Sequence, residues 1–181
     1  VLTVEYDQVL WRDGVEYQYD ALGQLAARLD GNERRRFEYD SRGNLLNVFF
    51  ETVEGQGYTV DKRVKYDVDG LNRRIRRTEF DADGQIIDGI EYLYQSQLNP
   101  IASRSLDGEV SFFVYGRFGH VPDYMVRPCG DETCTYAFVT DDIGSIRSVV
   151  NLDVDGADRV VQEFDYDAFG RVRRSAQSPT V

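Results

Sequence analysis

The sequence predicts an all-β protein, built of antiparallel hairpins that join into a curved, twisted sheet. Three observations carry that expectation. The pattern Asp-x-x-Gly recurs at Asp20–Gly23, Asp40–Gly43, Asp67–Gly70, Asp81–Gly84, Asp141–Gly144, Asp153–Gly156 and Asp167–Gly170. Between these points apolar and polar residues alternate with a period of two, as half-buried strands require. The composition agrees: aromatic residues make up 13% of the chain, with 12 Tyr and 10 Phe against four Pro, which suits a pleated surface better than helices.

The repeated unit is clearest in Phe164-Asp165-Tyr166-Asp167-Ala168-Phe169-Gly170-Arg171-Val172. Asp at the first turn position caps backbone N–H groups, and Gly at the fourth takes the positive φ of a bulge closing a type I turn. Each copy therefore reads as a hairpin tip. Tyr precedes four copies, at Tyr19, Tyr39, Tyr66 and Tyr166; Phe80 replaces it once, and Thr140 and Leu152 mark divergent copies. This Tyr is the last strand residue, and its ring can lie over the apolar residue leaving the turn, as Tyr19 over Leu25. Simpler turns are expected at Asp13-Gly14, Asp30-Gly31, Asp88-Gly89 and Asp107-Gly108. The spacing between copies is uneven, so a solenoid of identical coils is not expected.

Taken in order, residues 1–94 read as generic hairpins, with alternating pairs such as Tyr17/Tyr19, Phe37/Tyr39, Val64/Tyr66 and Tyr92/Tyr94. Residues 95–135 are less regular and rich in loops, around Asn99-Pro100 and Gly116–Met125. Residues 136–174 return to strands, with Tyr136/Phe138, Ile146/Ser148/Val150 and Phe164/Tyr166. Residues 175–181 read as a linker or truncated tail. Arg, Glu, Gln and Asp occupy the alternate positions, which implies one wet face. No segment sustains a helical period, so no helix beyond a turn or two is expected. The start, Val1-Leu2-Thr3-Val4-Glu5-Tyr6, reads as the middle of a strand and suggests a piece of a longer polypeptide.

Charge excludes some functions. The net charge of −11 repels nucleic acid and anionic membranes. The basic runs Arg34–Arg36, Arg73–Arg77 and Arg171–Arg174 lie among acids and read as cross-strand ion pairs on a solvated face. No apolar run approaches the roughly 18 residues of a membrane span.

Candidate chemistry is sparse. Asp67-Val68-Asp69-Gly70, Asp81-Ala82-Asp83-Gly84 and Asp153-Val154-Asp155-Gly156-Ala157-Asp158 resemble the front of a calcium loop but lack the closing bidentate Glu. The turn reading comes first, and Asp153, Asp155 and Asp158 are the best calcium candidates. Cys129 and Cys134 are read as a disulfide in preference to free thiols, with zinc last because His120 is the single His. A disulfide implies an oxidising space. His120 has no neighbouring nucleophile in sequence, and Asp141 and Asp142 are turn residues before they are an acid pair, so neither an enzyme nor a cofactor is expected.

A chain of Tyr-Asp-x-x-Gly hairpins resembles the YD-repeat, or Rhs (rearrangement hotspot), superfamily of bacterial polymorphic toxins, insecticidal toxin complex C components and teneurins. The likeness is most specific over residues 112–172, where Phe113-Val114-Tyr115-Gly116, Val121-Pro122-Asp123-Tyr124-Met125 and Thr140-Asp141-Asp142-Ile143-Gly144-Ser145-Ile146-Arg147-Ser148-Val149-Val150 resemble the last part of an Rhs core. Asp142 stands where the family usually has His. The resemblance implies a β-strip that spirals into a hollow shell around a cargo, usually the C-terminal toxin of the same polypeptide. Toxin members follow the core with an Asp-based self-cleavage segment; this sequence stops before it, so autoproteolysis is carried over to no residue here.

The expected role is then a non-catalytic encapsulating module of a secreted or cell-surface protein. Its partners would be the remainder of the same polypeptide, an enclosed toxin, or a second copy joined through open strand edges, with arginines on one face holding an acidic cargo. One alternative is an extracellular adhesion or glycan-binding module, with exposed Tyr and Trp11 lining a groove. Another is the processed remnant of a self-cleaving toxin precursor.

Overall fold

The computed structural model describes residues 2–5, 7–117, 119–168 and 170–177. Phe118, and Phe169 of the repeat quoted above, lie outside them, as do Ser178–Val181 of the expected tail. The chain divides into two compact units, 1–91 and 92–181. In the first, short Gly- and Asp-rich turns separate β1 (Leu2–Glu5), β2 (Gln8–Arg12), β3 (Val15–Tyr19), β4 (Leu25–Asp30), β5 (Glu33–Tyr39), β6 (Leu45–Glu54), β7 (Gly57–Val68) and β8 (Arg74–Phe80). Strand β9 (Ile86–Tyr94) runs across the division. The second unit holds β10 (Pro100–Ser105), β11 (Val110–Val114), β12 (Tyr124–Cys129), β13 (Glu132–Thr140), β14 (Ile146–Asn151), β15 (Val160–Tyr166) and β16 (Val172–Gln177). A single 3-10 turn at Ala157–Arg159 is the one helical element among the described residues. Strand β16 extends to Gln177, three residues into the segment read as a tail.

Strand order is chain order from β1 to β16, and the ladders within each unit are antiparallel, for example β5 with β6 and β13 with β14. Most connections are tight turns, which set sequence neighbours side by side; the links 115–123 and 152–159 are longer. Beside six of these turns the register slips by one residue. Gln18 faces Ala27 but Tyr19 faces Leu25, and the same slip occurs at Tyr39/Leu45, Val68/Arg74, Phe80/Ile86, Thr140/Ile146 and Tyr166/Val172. The extra residue on the departing strand is a β-bulge, which bends the strand and adds right-handed twist.

Burial is thin. Ala27, Val48 and Val64 form the buried apolar positions of the first unit, Ala102 and Tyr136 those of the second, and no large side chain among the described residues is fully buried. Within each unit the strands pack on their sequence neighbours, so side chains are buried chiefly by cross-strand neighbours. Phe112, Val114, Tyr124 and Val139, on adjoining strands of the second unit, stay exposed.

The expectation of rings on one face and ion pairs on the other is corrected in the first unit. Arg36 faces Phe49 across the β5–β6 ladder and lies 3.8 Å over its ring, and Arg63 sits 4.1 Å over its partner Phe80. Arg74 covers Tyr66 at 3.7 Å. A guanidinium is planar and weakly hydrated, so it stacks on a ring while its edge keeps a carboxylate. Cation and ring therefore alternate along one face.

Candidate functional site

The repeated turn is built identically in its best copies. Asp20 N–H donates to Gln24 O at 2.9 Å and Gly23 N–H to Asp20 O at 3.0 Å, with Gly23 at φ +80°. The Asp20 carboxylate accepts from the N–H groups of Leu22 and Gln24, both at 2.9 Å. Asp40 repeats this with Gly43, Arg42 and Asn44, and Asp141 with Gly144, Ile143 and Ser145. Asp81 and Asp167 close the same backbone ring with Gly84 and Gly170, and accept from Gln85 N–H and Arg171 N–H. Donated hydrogen bonds hold two of these carboxyls below the ordinary range: Asp40 through the Asn44 side chain first, Asp141 through Ser145 N–H first.

Three expected turns are corrected, and a fourth keeps its place with a different residue at its head. The third copy lies at Asp69–Asn72, not Asp67–Gly70, so Tyr66 and Asp67 stay in β7 opposite Arg77 and Arg76. Asp69 is the better cap because its carboxylate accepts from Leu71 and Arg73 N–H and binds the Arg73 guanidinium at 2.7–2.8 Å, and Asn72 tolerates φ +63° in the place of Gly. Asp153 does not cap its own turn: its carboxylate accepts from Thr135 N–H at 2.6 Å, tying the segment after β14 to β13. Asp88-Gly89 lies inside β9, because the chain has already reversed at Asp81–Gly84 and Arg77 Nη1 holds the Asp88 carboxylate at 2.9 Å. At Asp107-Gly108 the closing ring starts two residues earlier, with Ser105 in the Asp position.

The tyrosines do something the sequence did not reveal. Tyr19 OH donates to Val9 O at 3.1 Å and Tyr39 OH to Leu25 O at 3.1 Å. In the second unit Tyr115 OH donates to Pro100 O at 3.0 Å and Tyr166 OH to Ile146 O at 2.9 Å. In every case the acceptor is on the preceding strand, beyond the point where the ladder stops; the β4–β5 ladder, for instance, ends at Ala27/Arg36. The hydroxyl thus replaces a lost backbone rung where neighbouring hairpins splay. Burial, with the Asp20 charge second, pushes the Tyr39 phenol up. The available signal was the preference for Tyr over Phe before the turn, since a ring alone would serve packing.

Two buried carboxylates anchor the first unit. Glu51, 6% exposed, accepts from Arg34 Nη1 at 3.2 Å and Arg36 Nε at 3.0 Å. Glu79, 8% exposed, pairs with Lys62 Nζ at 2.7 Å and also contacts Arg77. The basic runs singled out in the sequence are thus absorbed, in part, by internal ion pairs. Successive turns touch as well, with Asn44 Nδ2 donating to Asn72 Oδ1 at 3.1 Å.

Cys129 and Cys134 are joined by a disulfide with Cα atoms 5.8 Å apart, beside the β12–β13 turn. Asp153, Asp155 and Asp158 do not converge: among the described residues no group of three His, Cys, Asp or Glu could hold a metal ion. His120 packs at the Asp141–Gly144 turn, its Nε2 3.3 Å from where a Cβ on Gly144 would stand. No helix among the described residues is long and apolar enough to cross a membrane.

Among known proteins, the double-stranded DNA deaminase toxin A of Burkholderia cenocepacia (strain H111) is 37% identical over 79 residues, 42% of this chain and 5% of the relative. Among solved structures, the TcdB2-TccC3-Cdc42 crystal structure is 14% identical with a TM-score of 0.41 over 89% of this chain. The Photorhabdus luminescens Tc holotoxin pore gives 14% and 0.41 over 92%. The chain spans 12% of each of those two structures' chains. The Teneurin YD-shell family model, by contrast, matches residues 3–179. Only two residues at each end fall outside that match, and on its extent the chain belongs to the Teneurin YD-shell family.

Proposed function

We propose that this chain is a length of wall in a YD-shell whose longer polypeptide is secreted or displayed at the cell surface and encloses or presents a cargo, a C-terminal toxin of the same polypeptide in the first instance. The observation that carries this is that the strands of each unit pair in chain order and leave apolar side chains uncovered. Such a sheet separates two spaces. Its mechanism is physical: the Asp caps and tyrosine hydroxyls hold each hairpin to the next, and stacked arginines and buried carboxylates stiffen the face. The Burkholderia relative is a toxin, which supports the choice of cargo. The turn aspartates act as caps, and the module contributes enclosure rather than chemistry.

The test is protease protection. In the longer polypeptide, a cargo segment carrying engineered cleavage sites should resist protease while the wall is intact and become sensitive when Tyr19, Tyr39 and Tyr166 are changed together to Phe and the wall is loosened with urea. Equal cleavage with and without an intact wall would overturn the reading.

A further inference from the structure

Resting on the wall reading above, we propose that the second unit carries a peptide-docking groove for an extended, apolar polypeptide segment with a carboxylate beside its apolar residues. The groove has a volume of about 390 Å³ on the face of β12–β15. Met125, Tyr136, Phe138, Val149 and Phe164 form its floor, with Arg127 at its polar end. Register places them together: Met125 faces Tyr136, Phe138 faces Val149, and Arg127 lies on the same side of β12 as Met125.

Two features choose the occupant. One sheet face supplies the whole wall, so a small molecule would keep one side in water, whereas ligand sites normally bury 70–90% of a small ligand. A polypeptide segment brings its own outer side, and 390 Å³ suits two or three apolar side chains. The second feature is charge. In a chain of 32 acidic residues no Asp or Glu lines the groove among the described residues, and its one formal charge is Arg127. Arg127 Nη2 has Glu109 Oε2 3.7 Å away, with the two side chains 44% and 50% exposed. A surface pair of that kind is worth little, so an incoming carboxylate can displace it and gain the planar guanidinium fork.

The probe is a fluorescein-labelled, acetylated pentapeptide, Leu-Phe-Ile-Glu-Leu, with counterparts carrying Gln or Lys in place of Glu. Fluorescence anisotropy on the whole chain should show saturable 1:1 binding, strongest for the Glu peptide and weakest for the Lys peptide. Arg127→Gln should weaken the Glu peptide about fivefold, to the level of the Gln peptide, and leave the Gln peptide unchanged; a neutral pair replaces a charge-assisted one. Val149→Asp should remove binding of all three. If Val149→Asp fails to fold by circular dichroism, the exposed Arg127→Gln variant carries the test alone. Equal affinity of the three peptides, no effect of Arg127→Gln, or no saturable binding up to 1 mM would each overturn the groove. Self-association by sedimentation that Val149→Asp abolishes would overturn it in favour of a second copy. Cargo protection in a longer polypeptide whose unaltered wall shows no saturable peptide binding would retire the groove and leave the wall standing.

Discussion

Replacing Tyr39 with Phe isolates the role of the hydroxyl, because the ring and its packing against Leu45 remain. What is lost is one O–H···O=C bond of 3.1 Å between partly buried groups. A neutral hydrogen bond contributes about 0.5–1.5 kcal/mol net, and water reaches a partly buried Leu25 carbonyl, so the further cost of an orphaned acceptor stays small. The expected loss is about 1 kcal/mol, or about 2–4 °C in Tm for a chain of this length. Urea unfolding should show a lower midpoint with an unchanged slope. Tyr58→Phe is the control, since Tyr58 is 47% exposed. Tyr39 also touches the chemistry of its neighbour: its acceptor Leu25 faces Tyr19 across β3–β4. The Tyr19→Phe/Tyr39→Phe double variant should therefore depart from additivity by about 0.5 kcal/mol or more. The raised phenol gives a second readout. Its contribution is whole below the unfolded pKa of about 10 and decays as pH rises through the folded value, a step the Phe variant lacks. Equal midpoints for Tyr39→Phe and Tyr58→Phe, with full additivity in the double variant, would refute the splay-closing role.

Other consequences are open to the same assays. Glu51→Gln should destabilise by about 2 kcal/mol, below the 3–5 of a fully buried broken pair because Arg34 and Arg36 can rehydrate; an exposed control, Glu38→Gln, should change the urea midpoint far less. The lowered carboxyls of Asp40, Asp69 and Asp141 make stability complete above the unfolded pKa near 4 and diminishing as pH falls through the folded values, so acid titration followed by circular dichroism should begin to unfold the protein only below about pH 4. Asn72→Ala, which forces Ala into φ +63°, should cost about 1–2 kcal/mol, while Asn72→Gly should be neutral or stabilising. Reduction of Cys129–Cys134 should lower stability by about 2 kcal/mol on the chain-entropy account of so short a loop, and amide exchange should quicken in β12–β13 first.

Much of the fold was legible because its instructions are local. Asp and Gly three residues apart encode a reversal whatever lies beyond them, and alternation supplies the strands between. What was not legible depends on competition or on distance. At Asp67-Val68-Asp69-Gly70 two aspartates offered themselves as caps, and the winner was decided by Arg73, whose guanidinium binds Asp69. Asp88-Gly89 looks like a turn in isolation, but a reversal four residues earlier and the pull of Arg77 keep it extended. The bulges left a trace in apolar doublets such as Leu45-Leu46 and Ile86-Ile87, which break the alternation. The tyrosine acceptors left none, since Val9, Leu25, Pro100 and Ile146 take part through backbone carbonyls and any residue supplies one. The groove on β12–β15 was hidden for a similar reason: it exists only once four strands lie side by side.

Strand order that follows chain order also governs how such a protein comes into being. Each new strand finds its partner in the one just made, so the entropy of closing a loop is met in small steps and never as one long-range search. Folding can then advance in step with synthesis, one hairpin at a time, like a zip. Stability takes the form of a sum over nearest neighbours, so a defect at one rung weakens its own stretch and leaves distant rungs to hold.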